Sequence, residues 1–281
     1  MPHKKQGFTL IEIAIVLTII GLIIGGIFTG KSILRQAQVQ SVITDLDRYK
    51  KAIQLFKEKY LYLPGDLPTA TSFWGTDTSC PITPANVIPK TATCNGNGDG
   101  RIGVSTSNSI GTLYNNVGTT DGLESLRVWQ HLANAGFIDG SYTGAFSSRA
   151  GMEDPGMNTP LSKVSGGTFL FFYILPPSNM VDAFPANYNH VFMYGESPGT
   201  DLGGTAWLNT PLYPVLTAAE AAGIDQKLDD GKPGTGNVLS PTSDEVTLLT
   251  PLPCATGNTT AATYNVGVSG NVCVLIFITG F

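Results

Sequence analysis

Charged residues are scarce in this sequence. Only 13% of its 281 residues are charged, and the formal net charge is -5 with a sequence pI near 5.1. An acidic chain has no general electrostatic reason to bind nucleic acid or an anionic membrane face, so we expect no nucleic-acid partner. Because 42% of the residues are hydrophobic, the chain has enough apolar material for one sizeable core or two modest ones, and we expect it to fold.

Histidine is nearly absent, which limits the chemistry open to the chain. The three histidines are His3, His131 and His190. His3 lies apart at the N-terminus, and the remaining two are too few for a typical zinc site without other ligands. Residues 195–199, GESPG, match the G-x-S-x-G pattern of hydrolases, but no histidine comes after them, and their proline and glycine would break the helix that the pattern requires. We find no catalytic constellation and expect a protein that is not an enzyme.

A second pattern typical of enzymes occurs in the wrong context. Residues 25–32, GGIFTGKS, match the Walker A pattern of phosphate-binding loops. Such a loop needs a short buried strand before it, whereas this segment ends a long apolar run. The context therefore argues against nucleotide binding.

The apolar run is the strongest feature of the chain. Residues 8–28 read FTLIEIAIVLTIIGLIIGGIF, with Glu12 as the single charge. A helix of this length rises about 30 Å, enough to cross the hydrocarbon core of a bilayer. Lys4 and Lys5 precede the run, and by the positive-inside rule they hold the N-terminus in the cytoplasm. We expect a transmembrane helix over residues 8–28 and export of the rest of the chain.

A processing motif lies before this run. An ordinary secretory signal places its cleavage site after the apolar region, but here residues 4–12, KKQGFTLIE, lie at its beginning. They resemble the type IV prepilin motif of type IV pilins and type II secretion pseudopilins, in which a membrane peptidase cuts after the glycine and methylates the new N-terminal amine. The resemblance implies that Gly7 and Phe8 are the processing residues, that residues 1–7 are the leader and that a prepilin peptidase is a partner.

The resemblance also implies a role for Glu12 and a location for the protein. In that family the acidic residue at this place supports assembly with other pilin or pseudopilin subunits. The protein would cross the bacterial inner membrane once, with its N-terminus cytoplasmic and its globular domain periplasmic or extracellular in a filament. A plain uncleaved signal anchor is the alternative, but a carboxylate inside a membrane segment is costly, and an Ile or Leu at position 12 would serve such an anchor better.

An amphipathic continuation of the helix is predicted over residues 29–63. Apolar residues recur there at steps of three or four, the period of a helix that packs against a sheet. They are Val39, Val42, Ile43, Leu46, Tyr49, Ile53, Phe56 and Tyr60. Pro64-Gly65-Asp66 would stop the helix. Many pilins have a proline in the outer half of the membrane helix, whereas no proline occurs here between Phe8 and Leu63.

Residues 64–281 are predicted to form the exported globular domain. A helix fits residues 122–135, with Asp121 as its N-cap and Glu124 reaching back in a capping box. Short apolar segments at 168–175, 190–194 and 271–279 are typical of buried strands. The predicted fold class is α+β, with a long N-terminal helix packed on a largely antiparallel sheet that has long loops.

Four cysteines in an exported domain predict two disulfides. Three pairings are possible. Cys80 with Cys94 and Cys254 with Cys273 would close the shortest loops, and we favour that pairing. The second pair resembles the C-terminal disulfide loop of many pilins.

A calcium loop is suggested by residues 95–102, NGNGDGRI. They fit the first eight positions of an EF-hand-like loop, with side-chain oxygens at Asn95, Asn97 and Asp99 and glycines at the sharp turn. Some type II secretion pseudopilins use calcium to order a loop, so the resemblance favours this cofactor. The alternative is a solvated turn of asparagine and glycine.

The predicted calcium loop lacks its last ligand. Position twelve is Thr106 instead of a bidentate glutamate, so the missing carboxylate would come from Asp121 or Glu124. A second acidic segment contains Asp225, Asp229 and Asp230, and we interpret it as a surface turn.

The sequence therefore predicts a structural subunit of a type IV pilus or a type II secretion pseudopilus. The length, large beside a typical major pilin, indicates a minor or specialised subunit. An exported adhesin or ligand-binding module that uses a pilin anchor is the alternative, with Trp74 and Trp207 as aromatic candidates for ligand contact.

Overall fold

The computed structural model describes most of the chain. The described residues are 9–78, 80, 88–103, 121–145, 153–174, 189–197, 213–240, 253–257 and 259–281. They form a long N-terminal helix, three shorter helices and one antiparallel sheet. The α+β prediction is therefore confirmed.

The first helix, α1, runs without interruption over Leu10–Tyr60. It begins with a capping box between Thr9 and Glu12 and ends at Leu61, which adopts a left-handed conformation with φ 64°. Its 51 residues rise about 76 Å, and its buried residues begin only at Ser41, so the first half projects. The helix ends three residues before the predicted stop at residue 63, at the edge of the Pro64 turn.

The second half of α1 packs on the sheet through the predicted stripe. Val42, Ile43, Leu46, Tyr49, Ile53 and Phe56 are all buried. Tyr49 lies at the centre, where its ring makes edge contacts with Trp129 at 4.9 Å and Phe169 at 5.4 Å between centroids. Such aromatic pairs contribute beyond their buried area, so this contact anchors α1 to the sheet.

The sheet has the strand order β1-β2-β4-β3, with every neighbouring pair antiparallel. The strands are β1 (Gly167–Ile174), β2 (Asn189–Glu196), β3 (Val238–Leu239) and β4 (Leu275–Ile278). The three predicted apolar segments correspond to β1, β2 and β4. The two-residue β3 was not predicted, because so short a segment has no alternation to detect.

Both faces of the sheet are covered, which explains the continuous apolar runs in its strands. Successive side chains point to opposite faces. Phe169, Phe171, Phe192, Tyr194 and Phe277 belong to the cluster under α1, whereas Leu170, Phe172, Val191, Met193 and Ile276 belong to a second cluster.

Three shorter helices surround the sheet in the described part of the chain. They are α2 (Ala70–Trp74), α3 (Asp121–Asn134) and α4 (Ala218–Leu228). The helix predicted at residues 122–135 is α3. Its Leu123 and Leu126 join the second cluster, while Trp129 and Leu132 join the cluster under α1, so α3 straddles the edge of the sheet.

Two disulfides close loops of the globular part. They join Cys80 to Cys94 and Cys254 to Cys273, with sequence separations of 14 and 19 residues. This is the pairing of the shortest loops that we favoured. Cys254 and Cys273 are fully buried next to β4, so the second disulfide is part of the core.

Candidate functional site

An acidic cluster forms where the segment 95–103 crosses the end of α1. Asp66, Asp99 and Glu124 each offer a carboxylate oxygen, and the three oxygens lie within 4.8 Å of one another. Asp66 and Glu124 are fully buried, and Asp99 is exposed. The arrangement could hold a metal ion.

Asp66 is the centre around which this segment folds. Its Oδ1 accepts hydrogen bonds from the backbone N–H groups of Gly98 at 2.5 Å and Asp99 at 3.1 Å, and its Oδ2 accepts one from Gly100 at 2.9 Å. Gly96 passes directly over Asp66, where an added Cβ would lie 2.3 Å from the backbone carbon of Asp66. The glycines of this segment are therefore needed for close approach as well as for turning.

Glu124 enters the cluster from α3. Its two oxygens accept hydrogen bonds from the backbone N–H groups of Asn97 at 3.0 Å and Gly103 at 3.3 Å. Burial, together with the nearby charges of Asp66 and Asp99, raises the pKa of Glu124 to about 8 against the effect of these hydrogen bonds. A bound cation would favour the ionised carboxylate.

The predicted capping box at the start of α3 stays a prediction, because the side chain of Asp121 lies outside the described residues. The two oxygens of Glu124 also accept hydrogen bonds from the loop at 97–103, which the sequence did not suggest. Without Glu124 these N–H donors would be left unsatisfied, so the carboxylate has a tertiary role that the local pattern does not reveal.

The predicted calcium ligands are only partly brought together. Asp99 and Glu124 are in the cluster, whereas the Oδ1 of Asn95 accepts a hydrogen bond from Thr71 N and that of Asn97 accepts one from Asp99 N. The side chain of Asp121 lies outside the described residues. The acidic cluster draws its carboxylates from three segments, and ligation by Asn95 and Asn97 stays a prediction.

Asp66 was missed as a site residue. In the sequence it comes after Pro64 and Gly65, and we interpreted the three residues as a helix stop, which they are. The available signal was an acidic residue in a turn, which is common on surfaces. The burial of its carboxylate could not be foreseen, because it depends on a segment about thirty residues further along the chain.

A buried histidine holds the turn that carries Asp66. Nδ1 of His131 accepts a hydrogen bond from Gly65 N at 2.9 Å, which leaves Nε2 to donate to Thr93 Oγ1 at 3.1 Å. Burial, together with the charge of Arg127, lowers the pKa of His131 to about 3. His131 is therefore neutral and structural at neutral pH.

The second acidic segment is not the simple surface turn that we predicted. Asp225 is fully buried at the end of α4, where its Oδ2 accepts a hydrogen bond from Tyr264 Oη at 2.8 Å and its Oδ1 accepts one from Gly231 N at 3.1 Å. Of the three aspartates, only Asp230 is exposed. The buried carboxylate ties α4 to the loop closed by the Cys254–Cys273 disulfide.

The first half of α1 projects away from the described residues of the globular part. Every residue from Thr9 to Leu34 is exposed, including Leu10 at 88%, Leu22 at 80% and Phe28 at 70%. So continuous an apolar surface is not stable in water and requires lipid or neighbouring apolar helices. By length and composition, α1 can cross a membrane.

Glu12 takes part in the N-terminal capping box of this helix. Its Oε2 accepts hydrogen bonds from the N–H of Thr9 at 2.7 Å and from Thr9 Oγ1 at 2.8 Å, while the N–H of Glu12 donates to Thr9 Oγ1 at 3.3 Å. The carboxylate is thus held at the first turn, next to the predicted cut. Gly7 and Phe8 themselves lie outside the described residues.

Residues 2–28 match a family model described as a prokaryotic N-terminal methylation motif. The N-terminus carries the type IV pilin and pseudopilin signature. No curated protein and no solved structure matches the chain. The match covers the N-terminus alone, so the pilin-type signature describes the anchor and does not extend to the sheet domain.

The pilin-type signature decides between the interpretations of the N-terminal patterns. It fits a single-pass inner-membrane anchor, and it points to a structural protein. The Walker-like residues 25–32 are a part of α1, as that interpretation requires. Ser197, in the hydrolase-like segment, is buried at the end of β2.

The aromatic candidates for ligand contact are of two kinds. Trp207 lies outside the described residues. Trp74 is half-buried and packs against Phe56, Tyr60 and His131, so it belongs mainly to the core.

Proposed function

We propose that this chain is a minor or specialised structural subunit of a type IV pilus or a type II secretion pseudopilus. The observation that supports the proposal is the methylation signature at residues 2–28, which overlaps the exposed apolar first half of α1. A chain with this anchor is stored in the inner membrane and passes into a filament when its helix exchanges lipid for the helices of other subunits.

The shape of the subunit supports assembly through α1. Its second half is buried against the sheet, whereas its first half projects with apolar residues on all sides. A helix that is apolar all round must be surrounded, and neighbouring subunits of the same kind can supply that surround. The globular domain would then lie on the outside of the filament.

Leader removal after Gly7 is the first test of this function. We expect the mature chain to begin at Phe8 with a methylated amine, which mass spectrometry of protein purified from the native membrane would detect. Gly7→Leu should block the cut, because it places a bulky side chain at the scissile bond. A wild-type chain that retains Met1, or that begins beyond Phe28, would refute the processing and with it the proposed function.

An exported adhesin that uses the same anchor is the second candidate. The observation in its favour is an aromatic group at the end of α1, where Phe73 is 57% exposed and lies 5.1 Å from the ring of Tyr60. Exposed aromatic rings of this kind can contact a ligand. An adhesin that does not assemble would remain in the membrane fraction, whereas a subunit would be recovered in sheared filaments.

We also propose that the acidic cluster binds calcium. Asp66, Asp99 and Glu124 supply hard oxygen ligands from three segments, and a cation would offset the repulsion between them. The bound ion would tie the end of α1, the loop at 95–103 and α3 together. Its role would be structural, because it would hold a loop of the exported domain in place.

Calcium should raise the melting temperature of the exported domain. At a hundredfold excess over the dissociation constant, a ligand specific for the native state stabilises it by about 2.7 kcal/mol. For residues 36–281 we therefore expect a melting temperature several degrees higher in millimolar calcium than in chelator. Asp99→Asn should abolish most of this shift, because it removes the charge but leaves an oxygen for the turn bond to Arg101 N.

Asp139→Asn is the matched control for the calcium experiment. Asp139 is exposed and is not a member of the cluster, so its substitution should leave the calcium shift intact. Equal melting temperatures of the wild-type domain in calcium and in chelator would contradict the proposed site.

A further inference from the structure

Arg35 marks the point where α1 leaves the globular domain. It is the first described residue of α1 that is not exposed, and the buried residues of the helix begin only at Ser41 and Val42. Between these points Val39 packs against the cluster under α1, and the other contacts described below are polar. The strongest is a bidentate ion pair, in which Arg35 Nε lies 2.6 Å from Glu220 Oε1 and Nη2 lies 2.8 Å from Oε2.

The partner of Arg35 is itself fixed. Glu220 is the third residue of α4, and its Oε2 also accepts a hydrogen bond from the N–H of Thr217 in a capping box. Arg35 Nη2 donates in addition to the carbonyl oxygen of Val215 at 2.8 Å. The guanidinium fork therefore meets a carboxylate and a carbonyl that are already held in place, which gives the contact a defined direction.

A second polar contact lies on the same side of α1. Lys227 Nζ, near the end of α4, donates to Gln40 Oε1 at 2.6 Å. Ala221 and Ile224 of α4 are buried in the cluster under α1. Together these contacts extend the attachment of α1 to the domain by about two turns beyond the apolar core.

We propose that the Arg35–Glu220 pair is an assembly determinant that sets the direction in which the membrane half of α1 leaves the globular domain. This inference rests on the proposed filament function. The pair would act as a positioning contact, because it joins α1 to α4 within one chain.

A small change in helix direction at Arg35 causes a large displacement at Glu12, because the two residues are far apart along α1. Glu12 lies twenty-three residues before Arg35, or about 35 Å along the helix. A change of about 10° in the exit direction would move Glu12 by about 6 Å, which is more than the reach of a salt bridge. Because α1 is continuous over Leu10–Tyr60, the segment between Glu12 and Arg35 carries a change in direction as one helix.

The test compares single and double variants of the full chain in cells that assemble filaments. Arg35→Gln removes the charge, and Glu220→Gln removes its partner but keeps a side chain that can close the capping box. We expect each single variant to reduce the fraction recovered in sheared filaments about fivefold. The double variant should be recovered in filaments no less than the single variant with the lower recovery, since all three variants remove the same interaction.

Further variants separate positioning from other roles. Lys31→Gln removes an exposed cation one turn earlier and should incorporate as wild type, and Arg35→Lys should retain part of the incorporation. Leader cleavage and membrane insertion should be unchanged in Arg35→Gln. The melting temperature of the full chain in detergent should change by less than about 3 °C, because a partly exposed ion pair contributes little to the stability of the fold.

Three results would overturn the inference. The first is wild-type incorporation of Arg35→Gln under conditions where Glu12→Leu fails to incorporate. The second is a double variant whose loss of incorporation is the product of the losses in the two single variants. The third is a fall in the melting temperature of Arg35→Gln that is large enough to explain its loss by unfolding. Absence of the wild-type chain itself from filaments would instead reject the proposed function, and the role of the pair with it.

Discussion

Replacement of Glu12 by leucine is expected to leave the protein processed, inserted and folded, but to reduce its recovery in filaments by about tenfold or more. A carboxylate at depth in a membrane costs roughly 2.5 kcal/mol if it stays charged and unpaired. Cleavage after Gly7 would create an amine at Phe8, and the amine of a neighbouring subunit can pair with Glu12 when helices stagger. A contribution of about 1.4 kcal/mol for each contact corresponds to a tenfold effect.

The structure adds a test that separates pairing from helix capping. Glu12 also accepts two hydrogen bonds from Thr9, so a loss of assembly could arise from a weakened helix start. Glu12→Gln preserves the capping geometry but removes the charge, and we expect it to fail nearly as fully as Glu12→Leu. Glu12→Asp keeps the charge on a shorter stem and should retain part of the function.

Glu58→Gln is the matched control for this series. Glu58 is exposed on the second half of α1, outside the predicted membrane segment, and its neutralisation should not change incorporation. The measurement is the fraction of mature protein in sheared or cross-linked filaments relative to the membrane pool. Wild-type incorporation of Glu12→Leu would show that Glu12 has no role in assembly and would favour the anchored adhesin.

Removal of the Cys254–Cys273 disulfide is expected to lower the free energy of unfolding of the exported domain by about 3 kcal/mol or more. Closure of a loop of about twenty residues contributes about 3 kcal/mol by restriction of the unfolded chain. Both cysteines are fully buried, and the backbone oxygen of Cys273 accepts hydrogen bonds from Val215 and Leu216, so packing is lost as well. The experiment is urea unfolding of residues 36–281 with Cys254→Ala and Cys273→Ala together.

The Cys80–Cys94 pair provides the comparison. Its loop is of similar size, with a separation of 14 residues against 19, so the entropic contribution should be nearly equal. Cys80 is half-buried, and neither Cys80 nor Cys94 belongs to the two clusters that cover the sheet. The alanine double variant of this pair should therefore cost less. A smaller loss for the Cys254–Cys273 variant than for the Cys80–Cys94 variant would contradict the assignment of the second disulfide to the core.

Several elements of the fold were predictable because local sequence encodes them. The apolar run at 8–28, the stripe from Val42 to Phe56 and the apolar segments of β1, β2 and β4 each define an element by its own composition and period. The order of these strands in the sheet was not predictable, because the pairing of β2 with β4 joins segments more than eighty residues apart.

In the acidic cluster, too, some residues were predictable from local sequence and others were not. Asp99 and Glu124 were named from the sequence, the first by its glycine-rich context and the second by its place near the start of a helix. Asp66 was not named, and the bonds of Glu124 to the loop were not foreseen. Both omissions have one cause, which is that these carboxylates accept hydrogen bonds from N–H groups of residues 97–103, which are far from them in the sequence.

The sequence by itself determined the pilin-type signature and the apolar half of α1, since the motif, the apolar run and Glu12 are contiguous within residues 2–28. Only the tertiary structure decided which carboxylates meet at Asp66, that Asp225 is buried against Tyr264, and that Arg35 pairs with Glu220. These contacts join residues far apart in sequence, and their energies depend on burial, which is a property of the packed chain and not of any one segment.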